Sequence, residues 1–259
     1  MATTPRCLNL TVYAPALVDD DERPLTLVHG FERTLPGLRL AWTFSEQGSF
    51  IALTHRDEWV SSDRTDGGFP FLCNDDESRP VTLTAWENPS GLASGSPPRL
   101  EVHATLPMDA AGIAAAIEAL EALGEGSHAV WGHASPDGHG QTVAQQFLRP
   151  NDESHAPPHG LPSLKLPRYN PVPEIPHYLG WLNYWSAATA RVLGFPDPSR
   201  DADLLSRSRR TATGGWVVPL TEAPLDLDNP THLDALKRAY ERFPEIGGRT
   251  TAGTQRRPS

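Results

Sequence analysis

Apolar and polar residues alternate along several short segments of the chain, which is the pattern of strands with one buried face. The first segment covers residues 8–13 and is followed by a turn at Ala14-Pro15. Further strands are predicted at residues 38–44, 69–73, 81–86, 100–106 and 129–132. Because most of these strands follow one another without a helix between them, the pattern favours an antiparallel sheet.

Apolar residues at helical spacing predict helices between some of the strands. The clearest helix begins at Met108-Asp109 and is predicted to end at Gly124 and Gly126. Shorter helices are predicted at residues 25–35, 55–61 and 142–148. The mixture predicts an α+β fold, with a mixed, largely antiparallel sheet, helices packed on it, and long proline-rich connections such as residues 150–176.

Residues 179–236 hold the most distinctive pattern of the chain. The positions that recur there at spacings of three and four predict one face of a helix, and they are Trp181, Tyr184, Trp185, Ala188 and Val192. Gly194 is predicted to end this helix. Its three aromatic residues are interpreted first as core side chains, and alternatively as anchors of a protein interface.

Two further elements are predicted in the same segment. Gly214-Gly215 precedes an apolar run that starts at Trp216, which is typical of a buried strand with a close backbone approach at its start. Asn229-Pro230 predicts the start of a helix, because asparagine caps a helix and proline in its first turn loses only a donor that has no partner.

In this order of elements, the segment resembles the immunity protein 52 family of bacterial polymorphic toxin systems. The residues that carry the resemblance are Gly180, Trp181, Tyr184, Gly214, Gly215, Asn229, Pro230 and His232. The whole chain is also similar to an uncharacterised bacterial family without an assigned function. The resemblance implies a protein that neutralises a cognate toxin by binding it.

Length and composition bound the organisation of the chain. Its 259 residues suit one large domain or two small ones. We predict a single α+β domain over residues 1–248 and a disordered tail over residues 249–259. Two cysteines, Cys7 and Cys73, do not make a disulfide framework. Because the sequence shows neither a signal-peptide pattern nor an apolar run of membrane-spanning length, it predicts a cytoplasmic protein.

Negative charge is concentrated in the first 160 residues, which carry a net charge of -13 against +3 for residues 161–259. The acidic residues form two clusters, Asp19, Asp20, Asp21 and Glu22 in the first and Asp75, Asp76 and Glu77 in the second. Such runs are usually solvated turns. The alternative is an acidic surface that steers and holds a basic partner. Neither nucleic acid nor a membrane is expected as a partner, because phosphate binding needs clustered cations.

Three histidines, His128, His133 and His139, lie close together in the sequence. Imidazole is a good zinc ligand, but this spacing matches no zinc signature. His177 is interpreted as a satisfied structural histidine rather than as a general base. The sequence therefore predicts no catalytic residue, no metal and no cofactor.

The function predicted from the sequence is an immunity protein that occludes the active site of a toxin, in particular of a nuclease. Two alternatives stay open. One is a metal-dependent hydrolase that uses His133 and His139, and the other is an interaction module of an unrelated assembly. A toxin-like gene immediately upstream would favour the first function, and stoichiometric bound metal would favour the hydrolase.

Overall fold

A computed structural model describes residues 6–45, 47–62, 68–88, 97–148, 156–170 and 172–249. These residues contain one sheet of ten strands. The strands are β1 (Cys7–Pro15), β2 (Trp42–Phe44), β3 (Phe50–Ala52), β4 (Phe69–Cys73), β5 (Thr82–Asn88), β6 (Arg99–Pro107), β7 (Trp131–Pro136), β8 (Leu182–Trp185), β9 (Arg209–Arg210) and β10 (Trp216–Pro219).

The strand order in the sheet is β3-β2-β4-β5-β6-β1-β7-β8-β10-β9, and every neighbouring pair is antiparallel. The long strand β1 lies in the middle, where it pairs with β6 along its whole length and with β7 along most of it. The consecutive strands β4, β5 and β6 are neighbours, as their direct succession in the sequence predicts. The α+β fold with a largely antiparallel sheet is confirmed.

Helices lie on both faces of the sheet. They are α1 (Arg23–Glu32), α2 (Arg56–Ser62), α3 (Ala110–Ser127), α4 (His139–Gln146), α5 (Ala187–Leu193), α6 (Ala202–Arg207) and α7 (Pro230–Arg242), with 3-10 turns at Pro158–Gly160, Pro167–Tyr169 and Ile246–Gly248. Several elements differ from their predicted bounds. The strand predicted at residues 38–44 begins only at Trp42, and the strand predicted at residues 129–132 lies at Trp131–Pro136.

The two faces of the sheet are covered to different extents. On the first face, β1 and the strands on either side of it pack against α1 and α3 through residues such as Leu10, Leu27 and Leu120. A second apolar cluster includes Trp185 of β8 and Tyr240 of α7. Within the described part of the chain, this second cluster includes no buried residue from β2 to β6. The second face is therefore well covered only on its β7-β8-β10 half.

The helix α3 begins where the sequence predicts it but ends later. The Asp109 side chain caps it by accepting a hydrogen bond from the Gly112 N–H at 2.9 Å. The prediction that Gly124 and Gly126 end the helix is wrong, because both glycines lie inside it and His128 ends it in the left-handed conformation. A Cβ atom on Gly124 would lie 2.5 Å from the Tyr184 ring. Glycine is therefore needed there for close packing rather than for termination.

The helix predicted over residues 181–192 is wrong in its first half. Leu182–Trp185 form strand β8, and only Ala187–Leu193 are helical. The new helix starts at Ser186, whose hydroxyl accepts the Thr189 N–H at 3.2 Å, and it ends at Gly194 as predicted. All four residues of β8 are buried between β7 and β10. Pairing on both edges therefore outweighs an apolar spacing that also fits a helix.

The other two elements predicted in this segment are confirmed. β10 begins directly after Gly215, where a Cβ atom would lie 2.7 Å from the Trp185 carbonyl oxygen, so the backbones approach closely. The preceding Gly214 has a φ of +88°, a conformation that favours glycine. α7 begins at Pro230, and the Asn229 side chain accepts the Thr231 N–H at 3.0 Å.

No helix in the described ranges is long and apolar enough to cross a membrane. Most of the predicted tail, residues 250–259, lies outside the described residues. The boundary of the single domain at residue 248 stays a prediction.

Candidate functional site

Aromatic side chains form a partly uncovered strip on the second face of the sheet, across β2, β3, β4 and β5. Phe44 and Phe50 lie opposite each other with ring centroids 4.7 Å apart, and Phe71 lies 5.3 Å from Phe44. Trp86 extends the strip onto β5. We call Phe44, Phe50, Phe71 and Trp86 the open aromatic face. Phe44 is 44% exposed and Trp86 is 43% exposed, so large apolar side chains contact solvent here.

The alternation of side chains along the strands explains this arrangement. Leu72 of β4 and Ala85 of β5 are buried in the first-face core. Their neighbours Phe71 and Trp86 therefore point to the opposite face. The second apolar cluster contains no buried residue from β2 to β6, so no core side chain covers Phe71 and Trp86 and both stay partly exposed.

Trp86 is held flat against the next strand. Its ring stacks on His103 of β6 with centroids 4.1 Å apart and planes inclined by only 7°. His103 Nδ1 lies 3.2 Å from Thr11 Oγ1, and His103 Nε2 lies 3.7 Å from Glu101 Oε2. These contacts fix the indole in one orientation while almost half of it stays exposed. A large, preordered aromatic side chain is suited to anchor a protein interface.

Next to His103, the sheet face carries a buried polar pair. The Tyr178 hydroxyl shares a hydrogen bond of 2.5 Å with His133 Nε2, and it also forms a hydrogen bond with the hydroxyl of Tyr13. Burial lowers the pKa of His133 to about 3, with smaller contributions from the charges of His139 and His103. Burial likewise raises the pKa of Tyr178 above its ordinary value. Both groups are therefore neutral near pH 7, and their hydrogen bond is a structural one.

The three histidines considered as metal ligands do not converge on one point, and each has different surroundings. His133 bonds to Tyr178, whereas His139 Nε2 lies 3.0 Å from the Leu179 carbonyl oxygen. His128 lies on the surface at the end of α3. Across the described residues, no group of three or more His, Cys, Asp or Glu side chains could hold a metal ion.

The first acidic cluster is partly neutralised by its own loop. Burial opposes ionisation of Asp21, but hydrogen bonds from the Arg23 side chain and from the backbone outweigh it and lower the pKa of Asp21 to about 2. Asp19, Asp20 and Glu22 are exposed beside it. They border Leu25 and Ser61, and therefore lie on the side of α1 and α2. This cluster belongs to the helix-covered side of the sheet.

The second acidic cluster lies at the opposite end of the strands. Asp75, Asp76 and Glu77 are exposed in the turn between β4 and β5, the strands that carry Phe71 and Trp86. The two clusters are separated by the nine-residue strand β1, a length of about 30 Å at 3.3 Å per residue. The structure therefore does not combine them in one acidic surface. The second cluster follows Phe71 along the chain, whereas Trp86 lies toward the other end of β5, where the neighbouring Glu87 carboxylate accepts the Leu17 N–H at 2.6 Å.

The residues that carry the family resemblance are mostly structural. Trp181, Tyr184 and Trp185 are buried, which agrees with their interpretation as core side chains, while Trp216 is half-buried. Their polar atoms and neighbours are also engaged in the fold. The Trp181 indole donates to the Thr221 carbonyl oxygen, and the Tyr184 hydroxyl donates to Glu125. His232 Nδ1 accepts a hydrogen bond from the Asp226 N–H. Gly180 lies in a close approach, because a Cβ atom there would be 2.7 Å from Ser135 Oγ.

The open aromatic face was not predicted from the sequence. A signal for it exists at Trp86, which occupies a position of its strand where alternation calls for a polar residue. Phe71 gives no such signal, because alternation from Phe69 would bury it, and a β-bulge between Phe69 and Leu72 turns it to the other face. Phe44 gives a weaker signal, since β2 is only three residues long.

Comparisons with known proteins place these features in a family. Residues 19–251 match the family described as Domain of unknown function (DUF5953), so the expected family without an assigned function is confirmed, and the match is not to immunity protein 52. The T6SS protein PA0821 of Pseudomonas aeruginosa is similar in structure, with a TM-score of 0.54 and 15% identity over 92% of this chain and 73% of that chain. At this identity the similarity concerns the fold alone. No functionally curated protein matches the chain.

Proposed function

The chain belongs to the family described as Domain of unknown function (DUF5953), and we propose that it is an immunity protein that binds a cognate toxin and occludes its active site, without a cofactor and without catalysis. The open aromatic face carries this proposal, because contiguous exposed aromatic side chains mark interaction surfaces. The similarity in fold to a T6SS protein supports a role in a secretion-linked toxin system. The resemblance of residues 179–236 to immunity protein 52 supports the toxin as the partner.

The open aromatic face offers suitable anchors for such a complex. Trp86 and Phe44 are large, partly exposed and fixed by ring contacts to His103 and Phe71. Rigid aromatic side chains lose little conformational freedom on binding, so most of their burial contributes to affinity. A standard interface covers about 800 Å² on each partner, which is enough to close a toxin active site.

The second acidic cluster favours a partner with a basic surface. Asp75, Asp76 and Glu77 follow β4, the strand that carries Phe71, so a partner that covers the Phe71 end of the open aromatic face would meet them at its edge. Negative charge at the rim attracts a basic protein during the encounter. A nuclease fits this description, because its active site carries cations that bind phosphate.

The experiment compares two surface variants with the wild-type protein. In the double variant Phe44→Ala and Trp86→Ala, affinity for the product of the neighbouring toxin-like gene should fall by at least about tenfold, because two anchors are removed. Protection of cells that express the toxin should be lost. The control is Tyr169→Ala, which removes another exposed aromatic side chain from the 3-10 turn at Pro167–Tyr169 and should bind normally.

Two outcomes would contradict the proposal. Full protection and wild-type affinity in the double variant, with normal folding, would show that the open aromatic face does not bind the toxin. Turnover of the toxin or of nucleic acid by the purified protein would contradict the non-catalytic mechanism.

A further inference from the structure

Arg99, the first residue of β6, is a buried cation without an ionic partner. It is 6% exposed, and among the described residues it forms no ion pair, while its Nη1 atom has no hydrogen-bond acceptor. The carboxylates of Glu101 and Glu174 act on it only from beyond ion-pair distance. A buried charge without a paired counterion is costly, so proteins seldom retain one without a role. The similarly buried Arg56 shows the usual arrangement, since it pairs with Glu32 and Asp57.

Two more buried N–H groups, both in rings that contact Tyr13, lack acceptors among the described residues. They are Trp131 Nε1 and His177 Nε2. The two rings lie 5.0 Å apart, and both lie against Tyr13, at 4.1 Å for Trp131 and 6.1 Å for His177. The Asn170 amide nitrogen donates to the Ile175 carbonyl oxygen and faces His177 Nδ1 at 3.4 Å, so the proton of His177 lies on Nε2. Of these three donors, only Arg99 lines a cavity beside Tyr13.

A cavity of about 200 Å³ opens beside Arg99. Apart from Arg99 and Glu174, its walls are almost entirely apolar, and they include Tyr13, Val130 and four prolines, Pro15, Pro97, Pro98 and Pro173. Sites for drug-sized ligands begin at about 300 Å³. The cavity therefore suits a smaller molecule or a single side chain with an apolar body.

We propose that this cavity binds a carboxylate attached to a small apolar group, with Arg99 as its ionic partner. A guanidinium group matches a planar carboxylate through two parallel hydrogen bonds. The carboxylates of Glu174 and Glu101 lie near Arg99, so a ligand with one negative charge is favoured over a dianion such as phosphate. The carboxylate comes either from a free organic acid or from a side chain of a bound protein, and the chemistry of recognition is the same.

The test measures thermal unfolding of the full chain with acetate, isobutyrate, benzoate or phosphate at constant ionic strength. A ligand that binds only the folded state raises the melting temperature with its concentration. Benzoate or isobutyrate should raise it more than acetate does, because their apolar bodies contact the cavity walls, and phosphate should not raise it. Arg99→Met should abolish the shift, and Arg99→Lys should reduce it because lysine lacks the planar fork.

Arg56→Met is the matched control. Without ligand, Arg99→Met should melt at or above the wild-type temperature, because it removes an unpaired buried charge, whereas Arg56→Met should melt lower because it breaks an ion pair. It is possible for no free acid to shift the melting temperature while Arg99→Met binds the neighbouring toxin at least about tenfold more weakly than the wild type does. That result would identify the toxin as the source of the carboxylate.

Three outcomes would overturn the proposal. Strong destabilisation in Arg99→Met would give the residue a purely structural role, and a shift by phosphate as large as that by benzoate would exclude carboxylate selectivity. Absence of any effect of free acids, together with wild-type affinity of Arg99→Met for the toxin, would leave no carboxylate site. The measurements with free acids do not rest on the proposed function, whereas the measurement with the toxin does, and the variant at Phe44 and Trp86 tests that function independently.

Discussion

At the scale of single residues, the buried histidines are the groups most sensitive to solution conditions. His133 and His177 are almost completely buried, and burial lowers the pKa of each to about 3. A neutral imidazole can share a hydrogen bond with a hydroxyl group, as His133 does with Tyr178. The two side chains therefore fit the fold only while they are uncharged.

The free energy of unfolding should decrease as the pH falls below about 6.5. In the unfolded chain a histidine has a pKa near 6.5, so between about 6.5 and 3 the unfolded state binds protons that the folded state excludes. Each of the two histidines then contributes a loss of up to about 1.4 kcal/mol per pH unit, and no loss above this range. Urea unfolding at a series of pH values measures the slope.

The replacement His133→Gln should reduce the slope of unfolding free energy against pH by the contribution of one histidine. The exposed His128 serves as the control, and His128→Gln should keep the wild-type slope. An unchanged slope in His133→Gln would mean that His133 is protonated in the folded protein or that its burial is not maintained in solution.

At the scale of elements, strand β8 joins β10 and β9 to the rest of the sheet. It pairs with β7 on one edge and with β10 on the other. Its flanking residue Trp181 belongs to the first-face core and Trp185 belongs to the second. The segment that carries the family resemblance therefore connects both cores, and its aromatic residues stabilise the fold on both faces.

Replacement of Trp181 tests this role. Trp181→Ala should lower the free energy of unfolding by roughly 3 to 5 kcal/mol, because burial of the indole is lost and a cavity is left. Trp216→Ala should lower it by less, because that side chain is only half-buried. Urea unfolding of both variants gives the comparison. Near-wild-type stability of Trp181→Ala with a loss of toxin binding would instead place Trp181 in the interface.

At the scale of the whole molecule, the net charge of -10 is unevenly distributed over the surface. The two acidic clusters lie toward opposite ends of β1, and Asp75, Asp76 and Glu77 follow the strand that carries Phe71. Exposed charges act mainly on the rate of encounter with a partner, over distances limited by salt screening. The position of each cluster, rather than the total charge, therefore decides its effect on association.

Reversal of charge separates the two clusters. Lysine at positions 75, 76 and 77 should slow association with the toxin by about tenfold or more at low salt and weaken the dependence of this rate on salt. Lysine at Asp19, Asp20 and Glu22 changes the net charge equally, spares the paired Asp21, and should slow association less. Stopped-flow rates at low and moderate salt distinguish the variants. Wild-type rates in both would show that neither cluster takes part in the encounter.

Elements that depend on short-range interactions were predictable from the sequence. The cap at Asp109 and the apolar stripe after it predict the start of α3, and Asn229-Pro230 predicts the start of α7. The strand Phe69–Cys73 lies at its predicted bounds. Caps, turns and periodicity act between residues a few positions apart, so the sequence shows them directly.

The features of the candidate sites depend on residues that are distant in the sequence. Trp181 and Tyr184 fit a helix by their spacing, and only pairing with β7 and β10 makes their segment a strand. Trp86 is exposed because no buried part of the second apolar cluster reaches β5. Arg99 is unusual only because no carboxylate pairs with it in the described fold. The neighbouring residues in the sequence thus determine the local preference for helix, strand or turn. Burial, strand pairing and charge compensation depend instead on the residues that the tertiary structure places opposite each side chain.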